Sequence, residues 1–582
     1  MFFTMYSSPL FYMAVSFDDY FNKDKIINYL SRQRAKYAKK RNKEHIMANI
    51  SEKSKRKLIF ENKRNSFICR IMPPRRKWVR ISKEKRYHDR LLINSVDRNS
   101  KAIFATIKKH IENSMNFEYL NKLENFINEI KGSINDNKFK FQPPKIRPEQ
   151  KEKGKSECRP IASFYLKDNI INCLTNKYLV NFLDELFYDN SFAFRAKRYI
   201  NGDYRAPNHH DAFNMIINYL KENGSRRIYI AECDMQKFYD TVNHFVVIKQ
   251  FRKLCNIKFK LKGKIKCDKR AVKILLRYLE CYNFFKNVYL LNKDQYHFEE
   301  HNIQNGKYEW IKEYKLRKYY KDENKLKQVG IPQGGALSGL IANIVLNYAD
   351  EKIMMLNDKN LLYVRYCDDM IMMHTNSRKC KNALDVYMKS LRDLKLFPHQ
   401  INNEEYSKKF WNGKSRGPYE WSNNNVPWVG FVGYEINRKG EIRVRKKSLK
   451  KEISKQNELI KNIISALYKN NLNISKSSLL ESVYNRLNGM AVGRVALWNF
   501  PDYKNDMCWV KGFQLLNKNK YSLNQLKILD RTKNKNIFML IKRLRKINDE
   551  NIKIKSKKKN QNREKIYYGM PFSYYFQSLK NK

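Results

Sequence analysis

Two adjacent aspartates, Asp368 and Asp369, interrupt an otherwise apolar stretch at residues 363–373. The flanking runs, 361–366 and 370–374, are rich in β-branched, aromatic and other apolar residues, which predicts a β-hairpin with the aspartates in its turn. Two carboxylates in such a hairpin cost several kcal/mol of desolvation unless cations neutralise them. The pair therefore predicts a cation-binding turn at the edge of a buried sheet.

Another candidate carboxylate, Asp234, ends a strand-like run at residues 227–234. Taken alone, Asp234 is equally compatible with a helix cap. Mg²⁺ prefers oxygen ligands and keeps several waters, so a few carboxylates are enough to bind it. We expect Asp234, Asp368 and Asp369 to hold two Mg²⁺ ions, with Mn²⁺ as a substitute and the carbonyl oxygen of Met235 as a further ligand.

A Gly-rich turn at Gly330–Gly335 lies between these carboxylates in the chain. Its glycines permit a close approach of the backbone to a bound molecule. The apolar residues that follow predict a helix over 337–354. A turn of this kind before a helix usually has only a structural role. A functional role for it is therefore inferred from the candidate carboxylates that precede and follow it in the chain.

The chain is strongly basic, since 118 Lys and Arg residues oppose 57 Asp and Glu residues and give a formal net charge of +61. Such a charge repels itself in a compact fold, so a polyanionic partner is expected, and nucleic acid is the natural candidate. Lysine-rich codon usage explains part of the excess but not a two-to-one imbalance. A hydrophobic content of 42% is enough for a buried core and excludes a disordered chain.

The cysteines are scattered, and no pair has the C-x-x-C spacing of a zinc or redox site. They are typical of reduced thiols in a cytoplasmic protein. Residues 1–17 are apolar but lack a basic leader, which predicts the start of a folded element rather than a signal peptide. No apolar stretch reaches the ~20 residues needed to span a bilayer, so we expect no membrane partner.

In their order and local context, these features resemble the reverse transcriptases of bacteria, which include group II intron maturases, retrons and abortive-infection or defence-associated enzymes. The resemblance covers about residues 139–436 in seven blocks. These blocks are Lys153, Lys155 and Arg159–Ile161; Lys167–Ile170; Ser191–Arg195, extended by His210–Ala212; Asp234–Asp240; Gly330–Asn343; Tyr366–Asp369; and Trp428–Tyr434.

The resemblance implies an α+β fold, the right-hand polymerase architecture of fingers, palm and thumb with an antiparallel palm sheet. It also implies an RNA-directed DNA polymerase that copies an RNA template into DNA from dNTPs. We expect the template to be a structured non-coding RNA. The oligomeric state stays open.

Two departures bear on the biological role. Gly339 follows Ser338, where group II enzymes usually have proline, and the span from Asp240 to Gly330 is longer than is usual in the family. The chain also lacks a Cys/His cluster of the kind found in the zinc-dependent endonucleases of mobile introns. These differences favour a role in antiphage defence. A group II intron-like or other retroelement enzyme, and a non-catalytic RNA-binding scaffold, remain as alternatives.

The resemblance also assigns roles to side chains around the three aspartates. Arginine makes bidentate contacts to phosphate, which suits a triphosphate site. An aromatic ring at Tyr239 would exclude a ribose 2′-hydroxyl and implies deoxynucleotides, and Lys408 is a candidate general acid toward pyrophosphate. The residues expected to bind the substrate are Lys155, Arg159, Arg195, Tyr239, Gln333 and Gly334.

Three consecutive regions are expected: a basic helical N-terminal extension at 1–100, fingers and palm at 101–440, and a helical thumb and C-terminal region at 441–582. Within the middle region, residues 283–328 are unusually polar and aromatic, which predicts an insertion. The Tyr-rich tail raises the hypothesis of DNA synthesis primed from a protein hydroxyl, against plain aromatic packing. The tyrosines concerned are Tyr567, Tyr568, Tyr574 and Tyr575.

Overall fold

The computed structural model describes residues 16–48, 50, 66–82, 84–85, 95–152, 154–261, 265–402, 408–422, 427–469, 475–492, 509–546 and 571–580. Lys153, Tyr567 and Tyr568 lie outside these residues, as do the side chains of Lys408 and Tyr575. Within the described ranges, no helix is both long enough and apolar enough to cross a membrane.

Helices form where apolar residues recur at helical spacing. Ile103 and Ile107 are fully buried on one face of their helix, whereas Ile111 near its end is exposed. Short 3₁₀ helices occur at Arg75–Lys77, Asp184–Leu186 and Tyr289–Lys293. The described α-helices are α1 (Phe17–Tyr20), α2 (Lys23–Ala48), α3 (Ser66–Arg70), α4 (Ser95–Glu112), α5 (Glu118–Asn135), α6 (Leu166–Leu183), α7 (His209–Asn223), α8 (Phe238–Thr241), α9 (His244–Leu261), α10 (Lys269–Glu280), α11 (Phe284–Asn287), α12 (Tyr296–Glu299), α13 (Glu313–Arg317), α14 (Glu323–Leu326), α15 (Ser338–Met354), α16 (Ser377–Asp393), α17 (Lys408–Asn412), α18 (Lys446–Lys469), α19 (Lys476–Val492), α20 (Trp509–Gly512), α21 (Lys520–Arg545) and α22 (Phe572–Lys580).

Strands form at the predicted apolar runs and in several short hairpins. They are β1 (Lys145–Gln150), β2 (Cys158–Ser163), β3 (Arg198–Ile200), β4 (Asp203–Arg205), β5 (Tyr229–Cys233), β6 (Leu362–Tyr366), β7 (Asp369–His374), β8 (Ile401–Asn402), β9 (Ser415–Glu420), β10 (Val429–Phe431), β11 (Tyr434–Ile436) and β12 (Ile442–Val444). The pairs β1–β2 and β3–β4 are separate hairpins, and β10, β11 and β12 form a three-stranded sheet.

The central sheet has five strands in the order β6-β7-β5-β9-β8. All neighbouring strands are antiparallel except β8 and β9, which are parallel. A bulge in β9 places two residues opposite one of β5, between the pairs Ile230–Tyr419 and Glu232–Arg416. Gly417 makes this close approach possible, because a Cβ there would lie 2.5 Å from the carbonyl oxygen of Ile230. The mixed helix and sheet content agrees with the predicted α+β class.

The described chain divides into two compact units, each made of two separated stretches. The first contains the described residues of 16–26 and 127–420 and holds the five-stranded sheet. In it, α16 packs against β5, β7 and β9, and α7 packs against β6. Nearly all of α15 is buried, in keeping with its apolar sequence on every side.

The second unit contains the described residues of 27–126 and 421–580. Its core forms between α18, α19 and α21 and includes Ile50, Ile460, Leu479 and Leu540. The C-terminal helix α22 is held to α21 because Asp530 accepts hydrogen bonds from the start of α22. This grouping joins regions far apart in the chain, and so differs from the three consecutive regions expected from sequence.

Candidate active site

The β6–β7 hairpin carries the aspartate pair, as the apolar run predicts. Tyr366 and Asp369 are the last paired residues, so Cys367 and Asp368 form a two-residue turn. Cys367 has φ +59°, the left-handed conformation that suits tight hairpins but strains a residue with a side chain. Asp368 thus stands at the tip of the hairpin, and the exposed Asp369 begins the returning strand.

Asp234 comes to this tip because β5 runs antiparallel to β7. The last registered pair is Cys233 with Met370, so Asp234 follows at the position opposite Asp369. Burial raises the pKa of Asp368, and the negative charge of Asp234 raises it further. Asp234 and Asp368, distant in sequence, therefore interact at one end of the sheet.

The backbone of Asp234 is held by two other segments. Its N–H donates to Ser415 Oγ at 3.1 Å, and its carbonyl oxygen accepts from the N–H of His399 at 2.9 Å. Two basic groups lie beside its carboxylate, with Lys414 Nζ at 3.7 Å and His399 Nε2 at 4.0 Å from Oδ2. Lys414 is largely exposed, so it leaves the carboxylate accessible to a competing cation.

The carboxylates at this end of the sheet suit a metal ion whose remaining ligands come from water and from a bound substrate. Within the described ranges, no three or more His, Cys, Asp or Glu side chains are grouped closely enough to enclose a metal ion. Mg²⁺ nevertheless needs only one or two carboxylates when waters and phosphates complete its shell. Asp234 and Asp368 suit that kind of site, and Met235, which pairs with Pro398, lies directly beside it.

Tyr239 lies against the hairpin turn. Its hydroxyl oxygen is 3.2 Å from Cys367 Sγ, and its carbonyl oxygen accepts the N–H of Ile331 at 2.8 Å. Burial raises the pKa of Tyr239, so its hydroxyl stays protonated at neutral pH. The ring is thus fixed between the turn that carries Asp368 and the Gly-rich turn.

The Gly-rich turn is fastened to both β2 and the segment after Asp234. The carbonyl oxygen of Gln333 accepts the N–H of Ala162 at 2.8 Å, and its Nε2 donates to Asp240 Oδ1 at 2.8 Å. Burial raises the pKa of Asp240 to about 7. Gly334 has φ +90°, which accounts for a glycine at this position. Gln333 is therefore oriented by a buried partner that the sequence did not indicate.

A cluster of charged side chains joins the β1–β2 hairpin to the segment after Asp234. Glu157 binds both Lys151 and Lys237, the latter with an Nζ–Oε1 distance of 2.6 Å. Burial alone would raise the pKa of Glu157, but hydrogen bonds from the two lysines lower it to about 2. Arg159 is exposed on β2 and its charge acts on Lys151, whereas Lys155 is exposed near the hairpin tip. Sequence reasoning missed Lys151 and Lys237, although Lys237 stands only three positions after Asp234.

Arg195 differs from the expectation that it binds triphosphate. Its side chain is buried, and its nitrogens donate to the Asp184 carboxylate and to the carbonyl oxygens of Asp184, Phe187, Tyr188 and Ser191. Together these acceptors satisfy every N–H donor of the guanidinium group. Arg195 thus shapes the segment before β3 and has no donor left for a phosphate.

Two features around the hairpin explain residues that the sequence left without a role. Arg365 of β6 donates from Nη1 to the carbonyl oxygen of Cys367 at 2.9 Å, and this hydrogen bond supports the turn. A Cβ on Gly339 would lie 2.5 Å from the ring of Phe194, which is itself half-exposed. The glycine at this departure from the group II pattern therefore makes room for an aromatic ring at the start of α15.

Comparison with known proteins identifies a family match for the central part of the chain. Residues 247–404 match the family model described as reverse transcriptase (RNA-dependent DNA polymerase), a span that includes the Gly-rich turn, α15 and the aspartate hairpin. No curated protein matches the chain significantly.

Among solved structures, the chain is similar to two yeast telomerases. An apo telomerase from Candida tropicalis is 14% identical, with 85% of this chain and 82% of that chain covered and a TM-score of 0.34. A telomerase from Candida albicans, in complex with a TWJ fragment of telomeric RNA, is 12% identical, with 81% and 79% covered and a TM-score of 0.32. The family match, which includes the aspartate hairpin, supports a reverse-transcriptase domain around residues 247–404 and RNA-directed DNA polymerase activity.

Proposed function

We propose that this protein copies RNA into DNA by two-metal-ion nucleotidyl transfer at the end of the central sheet. The observation that carries the proposal is the meeting of Asp234, at the end of β5, with Asp368, in the β6–β7 turn. The match of residues 247–404 to a reverse-transcriptase model supports the reaction class.

The three aspartates would hold two Mg²⁺ ions, with the carbonyl oxygen of Met235 as a further ligand. When bound, these ions neutralise negative charge on the reacting oxygens and phosphates. In the reaction, the primer 3′-hydroxyl oxygen bonds to the α-phosphorus of a dNTP. The bond from that phosphorus to its bridging oxygen breaks, pyrophosphate leaves, and the hydroxyl proton passes to solvent.

The surrounding residues would bind and select the nucleotide. Arg159 and Lys155 are exposed on the β1–β2 hairpin, where they are free to reorient toward a triphosphate. Tyr239 would exclude a 2′-hydroxyl, since its ring is held against the turn that bears Asp368. Gln333 and Gly334 would line the nucleotide and template side, with the amide of Gln333 oriented by its buried partner.

The architecture suits a right-hand polymerase. We assign the five-stranded sheet to the palm, the β1–β2 hairpin to the fingers, and the helices after residue 441 to the thumb. The net charge of +61 supports phosphate contacts along a nucleic-acid duplex.

The biological role we propose is antiphage defence in the cytoplasm, with a dedicated structured RNA as the template. Gly339 after Ser338, the long span from Asp240 to Gly330 and the absence of a zinc-endonuclease Cys/His pattern from the sequence support this over a mobile intron enzyme. Sequencing the RNA that co-purifies with the protein, together with the DNA made from it in cells, tests the role. An adjacent intron RNA as the bound species would favour the retroelement alternative.

Primer extension on an RNA template tests the catalytic proposal. Asp234→Asn and Asp368→Asn should abolish dNTP incorporation, because each removes a charge needed at the metal site. Asp385→Asn is a matched control, since Asp385 is exposed and pairs only locally with Lys381. Full incorporation by Asp368→Asn would refute the site. A wild-type protein that binds RNA but incorporates no nucleotide with Mg²⁺ or Mn²⁺ would favour the scaffold alternative.

A further inference from the structure

Helix α9 has one face in the core of the first unit and an opposite face that the described part of the chain leaves uncovered. It packs against α15 and α6, and Val247, Phe251 and Leu254 are buried on the packed face. The opposite face begins at Phe245, whose side chain is 62% exposed. An exposed phenyl ring loses no contact with the core when it binds a partner, so this face is a candidate interaction surface.

A groove of about 690 Å³ runs along the uncovered face. Phe245 and Ile248 supply apolar lining, and Lys249, Arg252 and Lys260 supply positive charge. These residues recur at helical spacing on one side of α9, and at about 1.5 Å per residue the stripe spans ~22 Å. The groove therefore combines an aromatic ring at one end with a row of cations along its length.

The cations of the groove lack nearby counter-charges. Helix α9 contains no acidic residue. Lys253 pairs with Glu351 of α15, but Lys249, Arg252 and Lys260 form no ion pair with any residue that the structure describes. Three cations without partners on one helix face favour the binding of a polyanion.

The basic surface continues beyond the groove. A neighbouring cavity of about 400 Å³ shares Arg252 and Asn256 with the groove and extends to Phe259 and Lys266. Lys266 Nζ lies 5.6 Å from the centroid of the Phe259 ring. In the sequence, lysine occupies every second position from 258 to 266. Positive charge and aromatic rings are thus found together on both sides of Arg252.

This combination distinguishes between the polyanions that could bind. Single-stranded nucleic acid contacts cations through its phosphates and stacks its bases on aromatic side chains. The bases of a duplex are stacked on one another, so a duplex has no free base for Phe245, and an acidic peptide has none at all. The observations therefore favour an unpaired strand.

We propose that the groove on α9 binds an unpaired stretch of RNA, with Lys249, Arg252 and Lys260 on its phosphates and Phe245 stacked on a base. The inference goes beyond the proposed function, because none of these residues belongs to the nucleotide site. The choice of RNA over single-stranded DNA rests on the proposed function, which makes RNA the bound partner.

The test measures binding of a labelled oligouridine of about 12 nucleotides to the full-length protein by fluorescence anisotropy. The protein is first saturated with an unlabelled blunt RNA–DNA hybrid, so that the polymerase cleft is occupied. Lys249→Ala/Arg252→Ala should weaken oligouridine binding about tenfold or more. The slope of log K against log salt should also become shallower by about 1.4, since each phosphate contact to a single strand contributes ~0.7.

A matched control removes the same charges from another helix. Arg378 and Lys389 are exposed on α16, where acidic residues such as Asp385 lie among the cations. Arg378→Ala/Lys389→Ala should therefore bind oligouridine as the wild type does. Circular dichroism should show that both double variants are folded.

The stacking contact is tested separately. Phe245→Ala should weaken oligouridine binding about tenfold, because one base loses its aromatic partner, whereas Phe245→Trp should retain the affinity. Tyr296→Ala is the control, since Tyr296 is 68% exposed on α12, away from the groove lining. Its affinity should equal that of the wild type.

Three results would overturn the inference: no oligouridine binding by the hybrid-saturated wild type, equal affinities in the two double variants, or tighter binding of a blunt RNA duplex than of oligouridine. Binding of polyglutamate in place of oligouridine would assign the groove to an acidic protein. These titrations contain no dNTP. A wild-type protein that binds oligouridine in the groove but incorporates no nucleotide would therefore refute only the proposed function.

Discussion

Asp350 of α15 and Arg365 of β6 form a two-armed ion pair with no solvent exposure, with distances of 2.6 Å from Nη2 to Oδ2 and 2.8 Å from Nε to Oδ1. Tyr363 also donates its hydroxyl to Asp350 at 2.6 Å. The remaining arm of Arg365 reaches the carbonyl oxygen of Cys367. A buried charge on the helix after the Gly-rich turn is thereby connected to the turn that presents Asp368.

Removing one partner of this pair should destabilise the fold strongly. Arg365→Met leaves Asp350 buried without its counter-charge, which should lower the free energy of unfolding by about 3–5 kcal/mol. The double variant Asp350→Leu/Arg365→Met should regain most of that stability in urea denaturation. It should still extend primers about ten- to a hundredfold more slowly, because the Cys367 carbonyl has lost its donor. Wild-type turnover in the double variant would show that this bond does not position the turn.

Sugar selection should depend on the ring of Tyr239 and not on its hydroxyl. Tyr239→Ala should increase ribonucleotide incorporation relative to deoxynucleotides on the order of ten- to a hundredfold, because the steric barrier to a 2′-hydroxyl is gone. Tyr239→Phe keeps the ring and loses only the contact with Cys367, so it should discriminate as the wild type does. Competition between matched rNTP and dNTP pairs measures the effect. An unchanged ratio in the alanine variant would exclude this role.

The stability of the first unit should depend on the protonation of His244. Burial lowers the pKa of His244 to about 4, so the folded protein keeps a neutral ring that donates from Nε2 to the carbonyl oxygen of Gly330 at 2.7 Å. The unfolded chain takes up this proton near pH 6.5, so the folded state loses stability as the pH falls from about 6.5 to about 4, by up to about 3 kcal/mol.

His244→Gln should remove this loss, since glutamine also donates from Nε2 but does not titrate. As the pH falls from about 6.5 to about 4, the free energy of unfolding of the variant should therefore rise relative to that of the wild type. His301→Gln is the control, because His301 is exposed. Parallel pH profiles of the His244 variant and the wild type would contradict the assignment.

Arg195 should matter for stability and not for substrate binding. Arg195→Lys cannot satisfy the Asp184 carboxylate and four backbone carbonyl oxygens at once, so the free energy of unfolding should fall by about 2 kcal/mol or more. KM for dNTPs should stay near the wild-type value in the folded fraction. A selective rise in KM without a loss of stability would restore the triphosphate role that the sequence implied.

Local sequence patterns were sufficient to predict the elements that carry Asp234, Asp368 and Asp369. The apolar runs at 227–234 and 361–374 form β5, β6 and β7, and the predicted helix over 337–354 is α15. The periodicity of strands and helices is a property of residues close together in the chain, so it can be recognised without knowledge of the fold. The expected proximity of the aspartates required two of these strands to be neighbours in the right register, and the antiparallel pairing of β5 with β7 provides it.

Contacts between side chains that are distant in sequence could not be predicted from local patterns. Arg195 and Arg159 both stand in basic, family-like contexts, yet one is buried among carbonyl oxygens and the other is exposed on β2. The contact of Leu316 with Phe397, and the ion pair of Asp350 with Arg365, depend on how elements pack after they form. The sequence by itself determined the strands and the helix around the aspartates and made these carboxylates the candidates for metal binding, because both depend on short-range pattern and residue chemistry. Only the tertiary structure decided which cations face the site and which support the fold, because that choice depends on burial and on acceptors contributed from elsewhere in the chain.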